Sequence, residues 1–212
     1  MADLNLPQKP SIARVHAFFD GQNLYHSAKE CFDYPFPNYD PIKLAEAVTS
    51  LAPGRRLEKI HFYTGVHDIR HDPFWHAFWS NKLALLPTKG VNVVTRKLKY
   101  SDVPISMESG GTRVIKIGRE KGIDLRLGLD LVRLARKGEY DVALIFSQDT
   151  DLEEAVNEIY DIRQEFKLWL WLECAFPISS TAKNPRGISR TQWRTIDKSL
   201  YDCCIDPRDY RP

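Results

Sequence analysis

The sequence of 212 residues lacks several features that define common protein classes. No apolar run approaches the roughly 18 residues that a membrane-spanning helix needs, and the opening MADLNLPQKPS lacks the apolar core of a secretory signal. We therefore expect residues 1–12 to form a flexible tail. The four cysteines show no CxxC spacing, and Cys203 is adjacent to Cys204, so neither a zinc site nor a structural disulfide is expected. These absences favour a reduced, cytoplasmic protein with no membrane partner.

A large net charge is also missing. The chain carries 30 basic and 28 acidic residues, which gives a formal net charge of +2 at pH 7. A polycation that coats nucleic acid or membranes is therefore excluded, and any attraction to phosphate groups must come from a local patch. With 43% hydrophobic and 27% charged residues, the composition is that of a globular protein, and the length suits one α/β domain.

Two apolar runs end in carboxylates. Residues 142–146, VALIF, have the composition of a strand buried on both faces, and Asp149 and Asp151 follow just before a helical pattern begins. Residues 13–19, ARVHAFF, form a similar run that ends at Asp20. Aspartate is a common helix N-cap, so each of these acids taken alone has a purely structural explanation. A functional role depends on whether acids from several strands meet.

The order of the predicted elements indicates that they do meet. Further strands are predicted at 59–64, 91–98 and 166–172, and helical patterns separate the five strands. Strands that alternate with helices favour a mostly parallel sheet covered on both faces. Right-handed crossovers then bring the carboxyl ends of the strands to one edge, where ligands bind in such folds.

Four acids are expected to share this edge: Asp20, Asp149 and Asp151 after strands, and Asp124 at the start of a predicted helix. Carboxylates about 4 Å apart repel by on the order of 4 kcal/mol at an effective dielectric near 20, so a divalent cation is a suitable neutralising partner. Oxygen ligands suit Mg²⁺ or Mn²⁺. Such an ion holds phosphate oxygens and activates water, which predicts metal-assisted hydrolysis of a phosphodiester. Asn23, one turn after Asp20, would orient the substrate or the water, or hydrogen-bond a loop.

Basic residues cluster between the third predicted strand and the helix of Asp124. Those expected to hold a nucleic-acid backbone are Arg96, Lys97, Lys99, Arg113, Lys116 and Lys121. For each one taken alone, ordinary solvated surface is an equally good interpretation. Two of them, Arg113 and Lys116, fall in a predicted hairpin insertion at 101–117, with Gly110-Gly111 as its turn.

Two other regions bear on partners rather than on chemistry. A stripe of apolar residues that includes Trp75 and Trp79 has helical spacing, and it is better explained by core packing than by base stacking. Any part of this aromatic surface that stays exposed would permit a homodimer. Near the end of the chain, residues 188–200 are predicted to form a final helix that docks on the domain.

Three ordered motifs carry a family resemblance: FFDGQNLY at 18–25, KGIDLRLGLDLV at 121–132 and YDVALIFSQDTDL at 140–152. Together they resemble the NYN domain, and more narrowly the LabA/DUF88 branch of the PIN-like nuclease superfamily. We place this domain at 13–173 and a C-terminal extension at 174–212. The resemblance implies a PIN-like three-layer α/β/α sandwich around a mostly parallel five-stranded sheet. It also implies Mg²⁺- or Mn²⁺-dependent ribonuclease activity.

The resemblance assigns site residues by motif. The catalytic residues would be Asp20, Asn23, Asp124, Asp149 and Asp151, with Asp20, Asp124 and Asp149 as the metal ligands. Asp130 also lies in the second motif, but its offset of six residues turns it to another helix face, so it is a candidate either for a structural role or for supporting a metal ligand from behind. The third motif departs from the usual Ser-Gly-Asp because Gln148 replaces the glycine. A positive φ at this position would strain glutamine, but the better interpretation is that the turn tolerates it, with the Gln148 amide pointing into the site.

Two functions of different class are consistent with these residues. The first is a metal-dependent ribonuclease, with endonucleolytic cleavage expected and RNA favoured over DNA. The second is a regulatory module that binds RNA or a protein partner without cleavage. The intact acids favour the enzyme, because a binding module has little reason to keep a self-repelling cluster. A haloacid-dehalogenase-like phosphatase would need Asp-x-Asp after the first strand, and a dinucleotide-binding enzyme would need GxGxxG there; neither is present.

Overall fold

The computed structural model describes residues 7–106, 111–180 and 182–212. The strands in these ranges are β1 (Ala13–Asp20), β2 (Arg55–Val66), β3 (Val91–Lys97), β4 (Lys99–Ser106), β5 (Thr112–Arg119), β6 (Val142–Phe146), β7 (Trp171–Pro177) and β8 (Gln192–Ile196). Six of them form one sheet in the order β3-β2-β1-β6-β7-β8, and every neighbouring pair in it is parallel. The other two, β4 and β5, form an antiparallel pair.

Helices cover both faces of the six-stranded sheet. They are α1 (Gly21–Phe32), α2 (Pro41–Ser50), α3 (Pro73–Leu85), α4 (Ile123–Arg136), α5 (Glu153–Glu165) and α6 (Lys198–Cys203). One core lies under α1, α2, α3 and α6, and the other lies under α4 and α5. In β6, Val142 and Leu144 face the first core while Ala143 and Ile145 face the second, as the pleat of a strand requires. The predicted three-layer α/β/α sandwich is therefore confirmed.

Two of the helices begin where Asp-Pro pairs predict. The Asp40 carboxylate accepts a hydrogen bond from the backbone N–H of Ile42 at 2.9 Å, and Asp72 accepts one from Trp75 at 3.0 Å. In both cases proline occupies the first helical position, where its missing N–H costs no helical hydrogen bond. None of the helices in the described ranges is long and apolar enough to cross a membrane.

The sheet has six strands where the sequence predicted five. The additional strand is β8, which pairs with β7 in the region where a helix at 188–200 was expected. Its sequence, QWRTI, favours a strand because Trp, Thr and Ile are common there. A helix does form, but only after Asp197, whose carboxylate accepts from the N–H of Leu200 at 2.8 Å. The docking helix is thus reduced to α6, and the proposed division of the chain after residue 173 stays a prediction.

The fifth predicted strand also begins later than expected, at Trp171 instead of Phe166. Phe166 is still bound to α5, because its N–H donates to the carbonyl of Ile162 at 3.0 Å. Lys167 then takes a positive φ of 51°, which turns the chain out of the helix. The apolar run predicted as one strand therefore begins with the residues that follow the end of α5, and only its last part belongs to β7.

The predicted hairpin insertion corresponds to β4 and β5, which pair from Lys99 with Arg119 to Ser106 with Thr112. It lies outside the central sheet. Half of the proposed turn, Gly110, falls outside the described residues. The aromatic stripe on α3 is mainly core, as predicted, since Trp79 is 2% exposed. A homodimer through this surface stays a prediction, and Trp79 is too buried to take part in it.

A buried carboxylate on β7 connects this strand to its neighbour β8 and also to β2, which is three strands away in the sheet. Glu173, on β7, is fully buried and accepts two hydrogen bonds at 2.6 Å from Arg55 at the start of β2. It also accepts two from Arg194 on β8, at 3.1 and 2.7 Å. Burial would raise the pKa of Glu173, but the hydrogen bonds from the two guanidinium groups lower it below its usual value. This cluster ties β2, β7 and β8 together at the end of the sheet opposite the carboxyl end of β2.

Two buried histidines predict that the fold weakens in mild acid. The ring nitrogens of His16 on β1 and His61 on β2 lie 3.4 Å apart, and burial lowers the pKa of each to about 4. Between pH 6.5 and pH 4 the two histidines are protonated in the unfolded chain but neutral in the folded chain. Protonation therefore favours the unfolded state, and the stability present above pH 6.5 is lost as the pH falls towards 4. We expect the free energy of unfolding, measured in urea, to drop between pH 7 and pH 5 by on the order of 2 kcal/mol per histidine.

The variant His61→Phe tests whether the buried histidines cause this loss of stability. The His61 ring already stacks on Phe18, with ring centres 4.7 Å apart, so phenylalanine fits the shape and aromatic character of the site. The variant should lose part of the pH dependence while keeping its stability at pH 7. An unchanged difference between pH 7 and pH 5 would show that these histidines do not cause the acid sensitivity.

Candidate metal centre

The topology of the sheet brings the predicted acids together. β1 and β6 are parallel neighbours, so Asp20 at the end of β1 and Asp149 just after β6 come from adjacent carboxyl ends. Asp124 is the second residue of α4, which packs across this sheet face. A cavity of about 240 Å³ lies between them. It is lined by Asp20, Gln22, Asn23, His26, Glu120, Ile123, Asp124 and Asp149.

Three of the carboxylates are close enough to share an ion. One oxygen from each of Asp124, Asp149 and Asp151 lies within 4.8 Å of the other two. Opposed oxygens of an octahedral Mg²⁺ site are separated by about 4.2 Å, so small side-chain adjustments would complete such a site. The donor set consists of oxygen atoms alone, which fits Mg²⁺ or Mn²⁺ rather than zinc. Asp20 is not part of this set of three, although it lines the same cavity.

Two of the acids also serve as caps. Asp20 is the N-cap of α1, and its Oδ1 accepts from the N–H of Asn23 at 3.0 Å. Asp149 caps the short 3-10 turn that precedes α5, and its Oδ1 accepts from the N–H of Asp151 at 3.0 Å. The structural explanation is therefore correct for both residues, but it uses only one oxygen of each carboxylate. Capping and metal binding are compatible.

The environment of Asp20 is electrostatically crowded. Burial, with smaller contributions from the neighbouring carboxylates of Asp149 and Asp124, raises the pKa of Asp20 to about 6. Hydrogen bonds oppose this effect, including one from the Ser147 hydroxyl to Oδ2 at 3.2 Å. A bound divalent cation would reverse the balance, because it favours the charged form of every carboxylate around it.

Glu120 is a cavity residue that sequence reasoning missed. It follows β5, and the turn at Gly122, with a φ of 76°, folds its side chain back towards Asp124. Burial raises the pKa of Glu120 to about 8, with smaller contributions from Asp20 and Asp124. The only signal in the sequence is an acid four residues before Asp124, across a glycine. Because Glu120 does not follow a strand of the central sheet, the rule that identified the other acids does not apply to it.

Asn23 and Gln148 connect the two strand exits. The Asn23 side-chain oxygen accepts from the backbone N–H of Gln148 at 2.9 Å, so α1 is tied to the segment that carries Asp149. Among the described residues, positive φ values at non-glycine positions occur only at Asp33, Lys167 and Arg190. Gln148 is therefore not strained by replacing the family's glycine.

The side chain of Gln148 holds the C-terminal loop beside the site. Its amide nitrogen donates to the carbonyls of Asn184 at 2.7 Å and Arg186 at 2.9 Å, and its oxygen accepts from the Ser27 hydroxyl at 2.8 Å. The substitution of glycine by glutamine thus adds an anchor between the end of β6 and the loop before β8.

Asp130 is held by polar contacts within α4 and to β2, and it is not among the residues that line the cavity of the acids. It is buried, and it pairs with Arg126 at 2.9 Å and with Arg133 at 2.8 Å. It also accepts a hydrogen bond from the Tyr63 hydroxyl at 3.1 Å. These contacts anchor α4 to β2 on the face away from the acids.

The six predicted RNA-binding residues are exposed and occupy one stretch of the molecule from β3 to the start of α4. Arg96 and Lys97 line a second cavity of about 620 Å³ at the carboxyl ends of β2 and β3. The Arg96 guanidinium lies beside Gly122, where an added Cβ would come within 2.9 Å of it. Lys99, Arg113 and Lys116 lie on the β4–β5 pair, where Lys116 pairs with Asp102 at 3.4 Å. Lys121 precedes α4.

Comparison with known proteins supports the sequence resemblance. The sequence model of the NYN domain family matches residues 14–179. A solved protein of unknown function from Vibrio parahaemolyticus RIMD 2210633 has a similar fold, with a TM-score of 0.53, 16% identity, and coverage of 90% of this chain and 97% of the other. Ribokinase from Giardia lamblia is more distant, with a TM-score of 0.35, 15% identity, and coverage of 68% and 42%. No curated protein sequence matches the chain.

Proposed function

Because the chain belongs to the NYN domain family, whose members share a PIN-like nuclease fold, we propose that it is a divalent-metal-dependent ribonuclease. The observation that carries this proposal is the convergence of Asp124, Asp149 and Asp151 within 4.8 Å. Two of them, Asp124 and Asp149, line a cavity together with Asp20. Such a cluster is costly unless a cation neutralises it. A purely structural set of caps would not require the carboxylates to face one another.

The proposed roles follow from the positions of the residues. Asp124, Asp149 and Asp151 hold Mg²⁺ or Mn²⁺, with Asp20 as a further ligand. When bound, the cation supplies a site for the scissile phosphate and lowers the pKa of a water molecule that attacks phosphorus. Asn23 fixes Asp149 relative to Asp20 through its hydrogen bond to Gln148.

The RNA strand is proposed to run from the acids towards β3. Arg96 is suited to this path because it lies beside Gly122, two residues before Asp124. Together with Lys97 it also lines the second cavity, at the carboxyl ends of β2 and β3. The residues of the β4–β5 pair, together with Lys121, extend the basic surface further. Contacts of this kind weaken as salt increases, because phosphate binding releases counterions.

The test is cleavage of a labelled linear RNA and a circular RNA by the purified protein. We expect both to be cut in Mn²⁺ and neither to be cut in EDTA, because the ion is part of the site and the cleavage is endonucleolytic. Cleavage of the linear RNA alone would indicate an exonuclease. Equal cleavage in Mn²⁺ and EDTA would contradict the proposed mechanism, and tight RNA binding without any cleavage would favour the regulatory alternative.

A further inference from the structure

The side chain of Glu120 extends into the candidate metal centre because Gly65 leaves room for it and Gly122 turns the chain. An added Cβ at Gly65, near the end of β2, would lie 3.3 Å from the Glu120 carboxylate carbon and would collide with Leu98. At Gly122 the positive φ of 76° turns the chain so that Glu120 and Asp124 line the same cavity. The position of Glu120 is therefore specified by the backbone on both sides.

The Glu120 side chain is half-buried, and one of its carboxylate oxygens lacks the partner that a buried oxygen normally has. The backbone N–H of Gly65 donates one hydrogen bond to it. Its Oε1 is buried without a hydrogen-bond partner, and no salt bridge within the described part of the chain includes this residue. A buried carboxylate oxygen without a partner is costly when the group is ionised, and the two charged groups that raise the pKa of Glu120, Asp20 and Asp124, are also acidic.

We infer that Glu120 is a further ligand of the divalent cation, which it binds on the side of the cavity shared with Asp20 and Asp124. This inference rests on the proposed metal-dependent function and extends its ligand set. A cation at this position supplies the missing partner of Oε1 and removes the repulsion among the three acids at once. A carboxylate that only filled space would find such a partner within the protein.

The test is Mn²⁺ binding measured by isothermal titration calorimetry, which does not depend on activity. The variants are Glu120→Gln, which keeps the shape, and Glu120→Asp, which keeps the charge but shortens the side chain. The control is Glu165→Gln, at the opposite end of α5 from the acids. We expect Glu120→Gln to raise the Kd for Mn²⁺ by at least about tenfold, since even outer partners of metal ligands change affinity by 10–100-fold. Glu120→Asp should fall between this variant and the control.

The outcomes separate this inference from the proposed function. If Asp149→Asn weakens Mn²⁺ binding while Glu120→Gln binds like the unaltered protein, the role of Glu120 is overturned and the metal centre stands. If the unaltered protein binds no Mn²⁺, both proposals fail. Circular dichroism in EDTA checks that each variant is folded, and Glu120→Gln should be at least as stable there as the unaltered protein, because it removes a repelling charge.

Discussion

Replacing Asp149 with asparagine is expected to reduce Mn²⁺-dependent RNA cleavage by about 100-fold or more. Asp149 is one of the three residues whose oxygens lie within 4.8 Å of one another, and asparagine removes its charge. A metal ion contributes several kcal/mol of charge stabilisation in the transition state, and a loss of about 3 kcal/mol corresponds to roughly 100-fold in rate. The measurement is the initial rate of cleavage at saturating RNA and Mn²⁺.

The fold should survive this change. The Asp149 side chain also caps the turn before α5 by accepting from the N–H of Asp151, and an asparagine oxygen can accept the same hydrogen bond. Asp161→Asn, on the exposed side of α5, is the matched control and should cleave RNA at the normal rate. Cleavage by Asp149→Asn within a few fold of the unaltered protein would remove Asp149 from the metal site.

Replacing Glu173 with alanine is expected to lower the free energy of unfolding by about 3–5 kcal/mol, which is the usual cost of breaking a buried ion pair from one side. The variant leaves two arginines without their carboxylate, and the side chain of Arg55 is only 8% exposed. The cavity left by the missing atoms adds to the loss. Urea denaturation at pH 7 measures the effect.

Glu139→Ala is the control that separates the effect of burial from the loss of an ion pair. Glu139 pairs with Lys59 at 3.2 Å, but both side chains are exposed, so this variant should change stability far less. A double variant, Glu173→Met with Arg194→Leu, tests whether an apolar pair can replace part of the buried cluster. If Glu173→Ala and Glu139→Ala were equally mild, the buried cluster would not be a main contributor to stability.

The central part of the fold was predictable because its strands are apolar on both faces. β1 and β6 bring their runs from residue 13 and residue 142 to the middle of a parallel sheet, and such runs are unambiguous. β8 was not predictable in this way. It is short, it lies at the edge, and three of its five residues are exposed, so it lacks the apolar run of a buried strand. Its residue types favour a strand, but only its pairing with β7 establishes one.

The candidate site also contains residues that the sequence predicts and residues that it does not. Asp20, Asp149 and Asp151 follow strands of the central sheet, so topology alone brought them to one edge. Glu120 reaches that edge through a turn and through the space left by Gly65. Both depend on the tertiary structure, so the local sequence does not reveal them. The contacts of Gln148 with the carbonyls of Asn184 and Arg186 join positions 36 and 38 residues apart, and no local pattern reports them.

The late strand β8 has a consequence for how the protein can be shortened. The family match ends at residue 179, before the strand begins at Gln192. A chain cut at that point would leave the backbone groups along one side of β7 open to pairing with a strand from another molecule, which is a common route to aggregation. It would also lose Arg194, one of the two partners of Glu173, and the loop carbonyls that Gln148 binds. The segment recognised by the family is therefore expected to precipitate when produced alone, whereas the chain that keeps β8 and α6, whose Tyr201 is part of the first core, should remain dispersed.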